Sequence, residues 1–276
     1  MVRDIDWETV IAQADADDAS VDVARAALLI AATEYPDLDI DHELGLLDSL
    51  AAGAAHRLGD NRETIFTINT LSEYLFDEVG LQGNTDDYYD PRNSYLNQVL
   101  KRQLGIPITL SLVYLEVGKR LGIPLVGIGM PGHFLLRHRD ETELFVDPFN
   151  RGILLSKEEC AQRLTQITQN RIDWDPRYLN PISNREYLAR MLNNLKSNYL
   201  QQGNFQRALS IMDLLVKLQP HALSEVRDRG LVKHRLGINQ GAADDIATYL
   251  RTAPPGPDSE ELRELLKQIE ESIKDV

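Results

Sequence analysis

Between Thr109 and Leu121 the chain places Leu110, Leu112, Val113, Leu115 and Val117 around nearly every face of a prospective helix. A helix that is apolar on most sides is stable only when other elements surround it. This segment therefore predicts a central, buried helix, and the rest of the fold has to supply its walls. The periodicity changes after Gly122. Leu125 to Gly129, Phe134 to His138 and Leu144 to Asp147 are short apolar runs separated by Met130-Pro131-Gly132 and His138-Arg139-Asp140. Such runs between turn formers read as strands of a small antiparallel sheet. Helices and a small antiparallel sheet are what these spacings predict.

Residues 1–80 supply helical walls. Val23, Ala26, Ala27, Ile30 and Ala31 form a stripe at helical spacing. Beyond a capping Asp39-Ile40-Asp41, the residues Leu44, Leu46, Leu47, Leu50 and Ala51 continue the same pattern, and Ile65, Ile68, Leu71, Leu75 and Phe76 mark a third helix between Arg62 and Val79. Gly80 stands where a glycine commonly ends a helix. Residues 81–92 read as irregular. Asn93 or Ser94 is expected to cap a helix running through Leu96, Val99, Leu100 and Leu104, broken by Gly105-Ile106-Pro107. After an Arg151-Gly152 turn, Ser156 begins a further helix with Glu158 and Glu159 in its first turn.

The tail carries an internal repeat. Ala208 and Ala242 are 34 residues apart, and so are Pro220 and Pro254. This is the tetratricopeptide period, with small residues where paired helices touch and proline at the exit. Tyr199, Gly203 and Phe205 fit the first copy. In the second, Gly230 takes the small position, while Lys233 stands where an aromatic is usual. Glu260 to Val276 is amphipathic and is expected to cap the stack.

Composition narrows the setting. No apolar run approaches the roughly 20 residues a membrane-spanning helix needs, and Met1 to Asp6 is charged, unlike a signal peptide. The single cysteine, Cys160, excludes an internal disulfide and a cysteine-based metal cluster. The expected location is the cytoplasm, away from membranes. The net charge of −14 is uneven: residues 1–90 hold 21 acidic residues against 4 arginines and no lysine. Such a front half repels phosphate backbones, so nucleic acid is not an expected partner. It solubilises the surface, meets a basic partner, or docks on the chain's own basic remainder.

One segment carries candidate chemistry. The order is buried helix, Leu121-Gly122-Ile123-Pro124, a strand, Gly132-His133-Phe134, a strand, and Val146-Asp147-Pro148. It presents an imidazole and a carboxylate at the ends of neighbouring strands. An Asp that holds the far nitrogen of a His is the orienting half of a nucleophile–base–acid triad; a structural hydrogen bond is the plain alternative.

This order of motifs resembles the transglutaminase-like core, and more closely the SirB-type family, which joins that core to tetratricopeptide repeats. The resemblance rests on Asn93-Ser94-Tyr95-Leu96-Asn97, Gly105-Ile106-Pro107-Ile108-Thr109-Leu110-Ser111, Pro131-Gly132-His133-Phe134 and Asp147-Pro148-Phe149, and spans about residues 25–255. It implies an α+β fold, a helix-rich papain/transglutaminase-type domain with a small antiparallel sheet, followed by an all-α tetratricopeptide-like tail. The divisions expected are 1–170 for the domain (helices over 1–80, core over 81–170), 171–184 for a linker and 185–276 for the repeats. By the same resemblance His133 matches the general base and Asp147 its orienting acid. The nucleophilic cysteine does not carry over: the matching position falls at Pro107, or with a small gap at Thr109.

Thr109 offers a hydroxyl at a helix start, a far weaker nucleophile than a thiol; capping the helix is its competing role. Asn93 and Asn97, four apart, are candidate ligand-binding groups, and Tyr88 a candidate cleft wall, with structural duties as the alternatives. Cys160 is expected to be half-buried and inert. His133 and His138 are five apart on a strand and face opposite sides, against a shared metal. Gly127-x-Gly129 lacks a third glycine and a following helix, so no dinucleotide loop and no cofactor are expected. Two functional readings remain. In the first, the domain is a non-catalytic, pseudoenzyme-like module that binds or regulates, and its tail recruits a protein or peptide. In the second it is a hydrolase of amide or ester bonds, using His133 and Asp147 with Thr109 or a bound water.

Overall fold

The computed structural model of the chain describes residues 6–254 and 256–274. The charged residues before Asp6 and the last two residues of the predicted terminal helix lie outside them. The described residues divide into two compact units, with the boundary between Met191 and Leu192.

In the first unit, α6 (Pro107–Arg120) holds the central position the sequence assigns to it. Eleven of its residues are buried, from Pro107 to Gly118. It packs against α3 (Ile40–Leu58) on one side and β3 (Leu125–Ile128) and β4 (Leu135–His138) on the other. Gly118 permits the approach of the sheet, because a Cβ there would stand 2.8 Å from Leu125 Cδ1. Tyr114, fully buried, donates its phenolic hydrogen to the Ile68 carbonyl at 2.9 Å. That bond ties α6 to α4 (Thr64–Ser72).

The helices of the front half follow their stripes. In α2 (Val23–Ala32), Val23, Ala26, Ala27, Ile30 and Ala31 are all buried. In α3 the buried line is Leu47, Ala51, Ala54 and Leu58, while Leu46 is exposed, one position off that line. The third predicted helix is α4 continued by a π-helical stretch, Glu73–Glu78, that ends with Val79 N–H on the Tyr74 carbonyl. A short α1 (Trp7–Ala16) precedes them. Part of the acidic excess is neutralised within the unit: Asp15 meets Arg185, Asp48 meets Arg120, Asp77 meets Arg151 and Asp90 meets Arg102.

Between residues 80 and 107 the structure departs from the expected pattern. Residues 81–92 are not wholly irregular: β1 (Gln82–Gly83) pairs in parallel with β2 (Leu104–Gly105). This takes Leu104 out of the predicted helix, which is α5 (Leu96–Arg102). Asn93 and Ser94 sit before it in a 3-10 turn, Pro91–Ser94, and neither caps it; its first flanking residue is Tyr95. The heptapeptide is too short for periodicity to mark its ends.

The main sheet is antiparallel, ordered β3-β4-β5-β6, with β5 at Phe145–Asp147 and β6 at Ile153–Leu155. The first three strands match the predicted runs within a residue. β6 was hidden in the sequence by its three-residue length between Gly152 and the Ser156 cap. Ser156 does cap α7 (Lys157–Thr168), through a reciprocal pair of bonds with Glu159. Residues 171–184, expected as a linker, hold a 3-10 turn (Pro176–Leu179), and Trp174, Tyr178 and Leu179 join a core cluster with Ile128, Met130 and Cys160.

Helix α8 (Asn184–Gln201) crosses the boundary between the units. The second unit continues with α9 (Phe205–Leu218), α10 (Leu223–Arg235), α11 (Asn239–Thr252) and α12 (Ser259–Lys274). The 34-residue period reaches the backbone: Gly203 and Gly237 occupy equivalent turns with φ of 69° and 73°, a region only glycine enters without strain. Ala208 and Ala242 are both fully buried. Lys233 replaces an aromatic for a visible reason: its ammonium lies 2.8 Å from Asp245 Oδ2, and Arg229 grips the same carboxylate. Gly230 lets α11 close in, since a Cβ there would be 3.0 Å from Asp245 Cβ. Along α12, Leu262 and Ile269 are buried against Ala242, Ala243 and Ile246.

Candidate functional site

His133 follows the Met130-Pro131-Gly132 turn, closed by its own N–H on the Met130 carbonyl at 3.1 Å. Asp147 ends β5, and its side chain caps the 3-10 turn Pro148–Asn150. The two side chains meet: His133 Nε2 lies 2.9 Å from Asp147 Oδ2, and both residues are buried. A carboxylate only accepts, so Nε2 carries the proton and Nδ1 is the basic nitrogen of the neutral ring. Nδ1 makes no hydrogen bond to any described residue.

Asp147 is held from several sides. Asn150 donates from its side-chain amide to Oδ2 at 2.8 Å and from its backbone N–H to Oδ1 at 3.3 Å, and Arg163 Nη2 stands 3.9 Å away. Burial alone would raise the Asp147 pKa. The hydrogen bond from His133 and its charge when protonated, with Asn150 and Arg163, outweigh it and hold the carboxyl below its ordinary value. The imidazole is flanked edge-on by Phe149, ring centres 6.2 Å apart, and Phe149 is flanked by Tyr88 at 5.9 Å. Tyr88 packs on Tyr89, which is 59% exposed. An apolar aromatic wall with one wet end therefore stands beside the imidazole.

The remaining candidate residues are held elsewhere. Thr109 is fully buried; its hydroxyl hydrogen goes to the Asn93 carbonyl at 2.7 Å, and its oxygen accepts the Ile106 N–H at 3.1 Å. Asn93 is buried as a brace: Oδ1 accepts from Asn84 at 3.0 Å, and Nδ2 donates to the Asp87 carbonyl at 2.7 Å. Asn93 precedes α5 and Asn97 lies within it, so they do not share one helix face. Asn97 is buried with Oδ1 unpaired. Cys160 is fully buried, not half-buried, among Ile128, Leu135 and Phe145. Burial, then the charge of Asp147, pushes its thiol up to about 12, so it stays protonated and inert.

Residues 42–193 match the Transglutaminase-like superfamily, and residues 195–267 match the Tetratricopeptide repeat. A UPF0162 protein of Xylella fastidiosa (strain 9a5c) is 41% identical over 249 residues, covering 87% of each chain. The chain belongs to the UPF0162 (SirB-type) family. Another member, from Vibrio cholerae serotype O1, is 28% identical over 251 residues, 90% of this chain and 93% of its own. F-box only protein 21 of Homo sapiens is 28% identical over 208 residues, 68% of this chain but 32% of its own length. No solved structure matches the chain.

In this family member the surroundings of the imidazole include residues that sequence reasoning did not single out. Asn150 was signalled by Asp147-Pro148, an acceptor followed by a first-turn proline, which announces a capped turn. Phe149 lay inside a recognised motif without an assigned role. Arg190, on α8, left no local signal. Its guanidinium donates to the carbonyls of Gly129 at 2.6 Å, Met130 at 2.8 Å and His133 at 3.1 Å, and lies over the Phe134 ring. It clamps the turn that carries His133. Among the described residues no cluster of side chains could hold a metal ion, and no helix is long and apolar enough to cross a membrane.

Proposed function

We propose that the transglutaminase-like unit is a non-catalytic binding module, in which the His133–Asp147 pair serves a ligand rather than a bond-breaking step. The observation that carries this reading is the state of Thr109. The hydroxyl at the head of α6 is buried and its hydrogen is given to the Asn93 carbonyl, so it is not paired with a base. The chain's one thiol is enclosed in a core cluster. What faces a ligand is Nδ1 of an oriented imidazole, an acceptor in the neutral ring, beside the aromatic wall of Phe149, Tyr88 and Tyr89. A peptide segment offering an N–H to Nδ1 and an apolar side chain to that wall suits it. Tetratricopeptide repeats in general mediate protein–protein contacts, and we assign the tail the recruitment of a protein or peptide partner.

A second reading is favoured by the same free Nδ1: a base held by a carboxylate is able to activate a water for amide or ester hydrolysis. Turnover of amide and ester substrates by the wild type, His133→Ala and Thr109→Ala separates the two. The binding reading expects no turnover that depends on either residue, and His133 ring resonances that shift on adding peptide. Hydrolysis abolished by His133→Ala in a folded variant refutes it.

A further inference from the structure

One cavity in the first unit has no part in the site above. It holds about 520 Å3 beside α6 and β3, inside the roughly 300–1,000 Å3 of ordinary small-molecule sites. Neither His133, Asp147, Phe149 nor Tyr88 lines it. Its apolar wall is formed by Leu115, Leu125, Val126 and Ile182, each only half-buried. Those side chains have apolar surface left for an occupant to cover.

The lining carries four charged side chains, and they are not equivalent. The two acids are compensated. Asp18 accepts the backbone N–H groups of Asn184 at 2.7 Å and Arg185 at 2.8 Å, at the first turn of α8, where the helix dipole favours a negative charge. Glu116 is buried and paired with Arg120 at 2.5 Å. The two cations, Lys119 and Arg139, are exposed, and neither side chain has a hydrogen bond or ion pair among the described residues. The uncompensated charge of the cavity is therefore positive, on a unit whose front half is strongly acidic.

We propose that this cavity binds a small organic anion with an apolar body. A carboxylate, sulfonate or phosphate head sits between Lys119 and Arg139, and the body lies against Leu115, Val126 and Ile182. The charge pair selects the anion and the apolar wall supplies most of the burial. The Leu121-Gly122-Ile123-Pro124 turn edges the cavity, with Gly122 at φ 73° allowing the chain to double back from α6 into β3.

The test uses the full chain and two fluorescent probes of similar shape, the anion anilinonaphthalene sulfonate and the neutral phenylnaphthylamine. Methyl NMR on the same samples locates the bound probe. The anion is expected to saturate one site, with shifts at the methyls of Leu115, Val126 and Ile182. Joint substitution Lys119→Ala and Arg139→Ala weakens the anion about ten-fold, the effect of two partly exposed ion pairs, and leaves the neutral probe unchanged. Both positions are exposed, so the fold tolerates the change. His133→Ala leaves both probes unchanged, which separates this site from the imidazole site. Equal anion binding by the double variant, or methyl shifts confined to other residues, overturns the proposal.

Discussion

Arg190→Met is the most informative single perturbation, because Arg190 joins a distant helix to the turn that aims His133. The guanidinium makes three charge-assisted hydrogen bonds to backbone carbonyls, of Gly129, Met130 and His133. Each such bond contributes about 1.5–3 kcal/mol against its broken state. Three would total about 4.5–9 kcal/mol if they added fully. They do not, since burial disfavours the guanidinium's charge and lowers its pKa, and part of the freed turn regains water. Methionine keeps the aliphatic packing on Phe134 while losing the attraction of the cation for that ring, about 0.5–1 kcal/mol. The expected net loss is about 3 kcal/mol. Trp7 and Trp174 are the only tryptophans and both lie in the first unit, so urea unfolding followed by tryptophan fluorescence reads that unit alone. With a slope of about 2–3 kcal/mol per molar urea, the midpoint falls by about 1–1.5 M. Arg190→Lys recovers only part of the loss, because one ammonium cannot reach three carbonyls in fork geometry. The His133 ring resonances move in the methionine variant, which a purely structural bond far from the imidazole would not cause. A loss below about 1 kcal/mol with unmoved ring signals refutes the clamp.

Two further predictions concern the buried ionisable groups. Asp147 has a depressed carboxyl, so its contribution to stability is present above the unfolded-state pKa and is lost as pH falls through the native value. Asp147→Asn is accordingly about 2 kcal/mol less stable near neutrality, with the gap narrowing below about pH 4; a gap constant down to about pH 2 in thermal melts contradicts this. The Cys160 thiol, held up to about 12 by burial, stays unmodified by a disulfide-exchange reagent at pH 8 in the native chain and reacts with one equivalent on unfolding. Rapid native labelling would place the thiol at the surface.

What the sequence made legible was local. The apolar stripes of α2 and α6, the Ser156 cap, the three longer strands and the 34-residue period each depend on spacings within one segment, and each has its counterpart in the structure. The His133–Asp147 meeting was within reach for the same reason. Both sit beside strands of one small sheet, with β4 paired directly to β5. The residues that escaped act across the chain. Arg190 reaches back 57 residues to the His133 carbonyl, and Asp18 caps a helix 166 residues later. No spacing rule reports a partner at such separations. Leu104 misled for another reason: an apolar residue at helical spacing was drawn into a two-residue parallel pairing that only the tertiary fold creates.

The energetics of the His133–Asp147 pair bear on its purpose. A buried hydrogen bond to a carboxylate gives little net stability, because taking the charged group out of water offsets most of the attraction, and well-packed apolar side chains of similar size commonly do as well or better. Phe149 and the neighbouring core show that apolar packing was available at this point in the fold. The structure nonetheless places Asn150, Arg163 and the Arg190 clamp around the pair, three sets of contacts that fix where the imidazole points. Fixing the direction of Nδ1 adds nothing to the core. Under the binding reading proposed above, that fixed direction serves a molecule that meets the nitrogen from outside, and the contacts around the imidazole are the ones such a role requires.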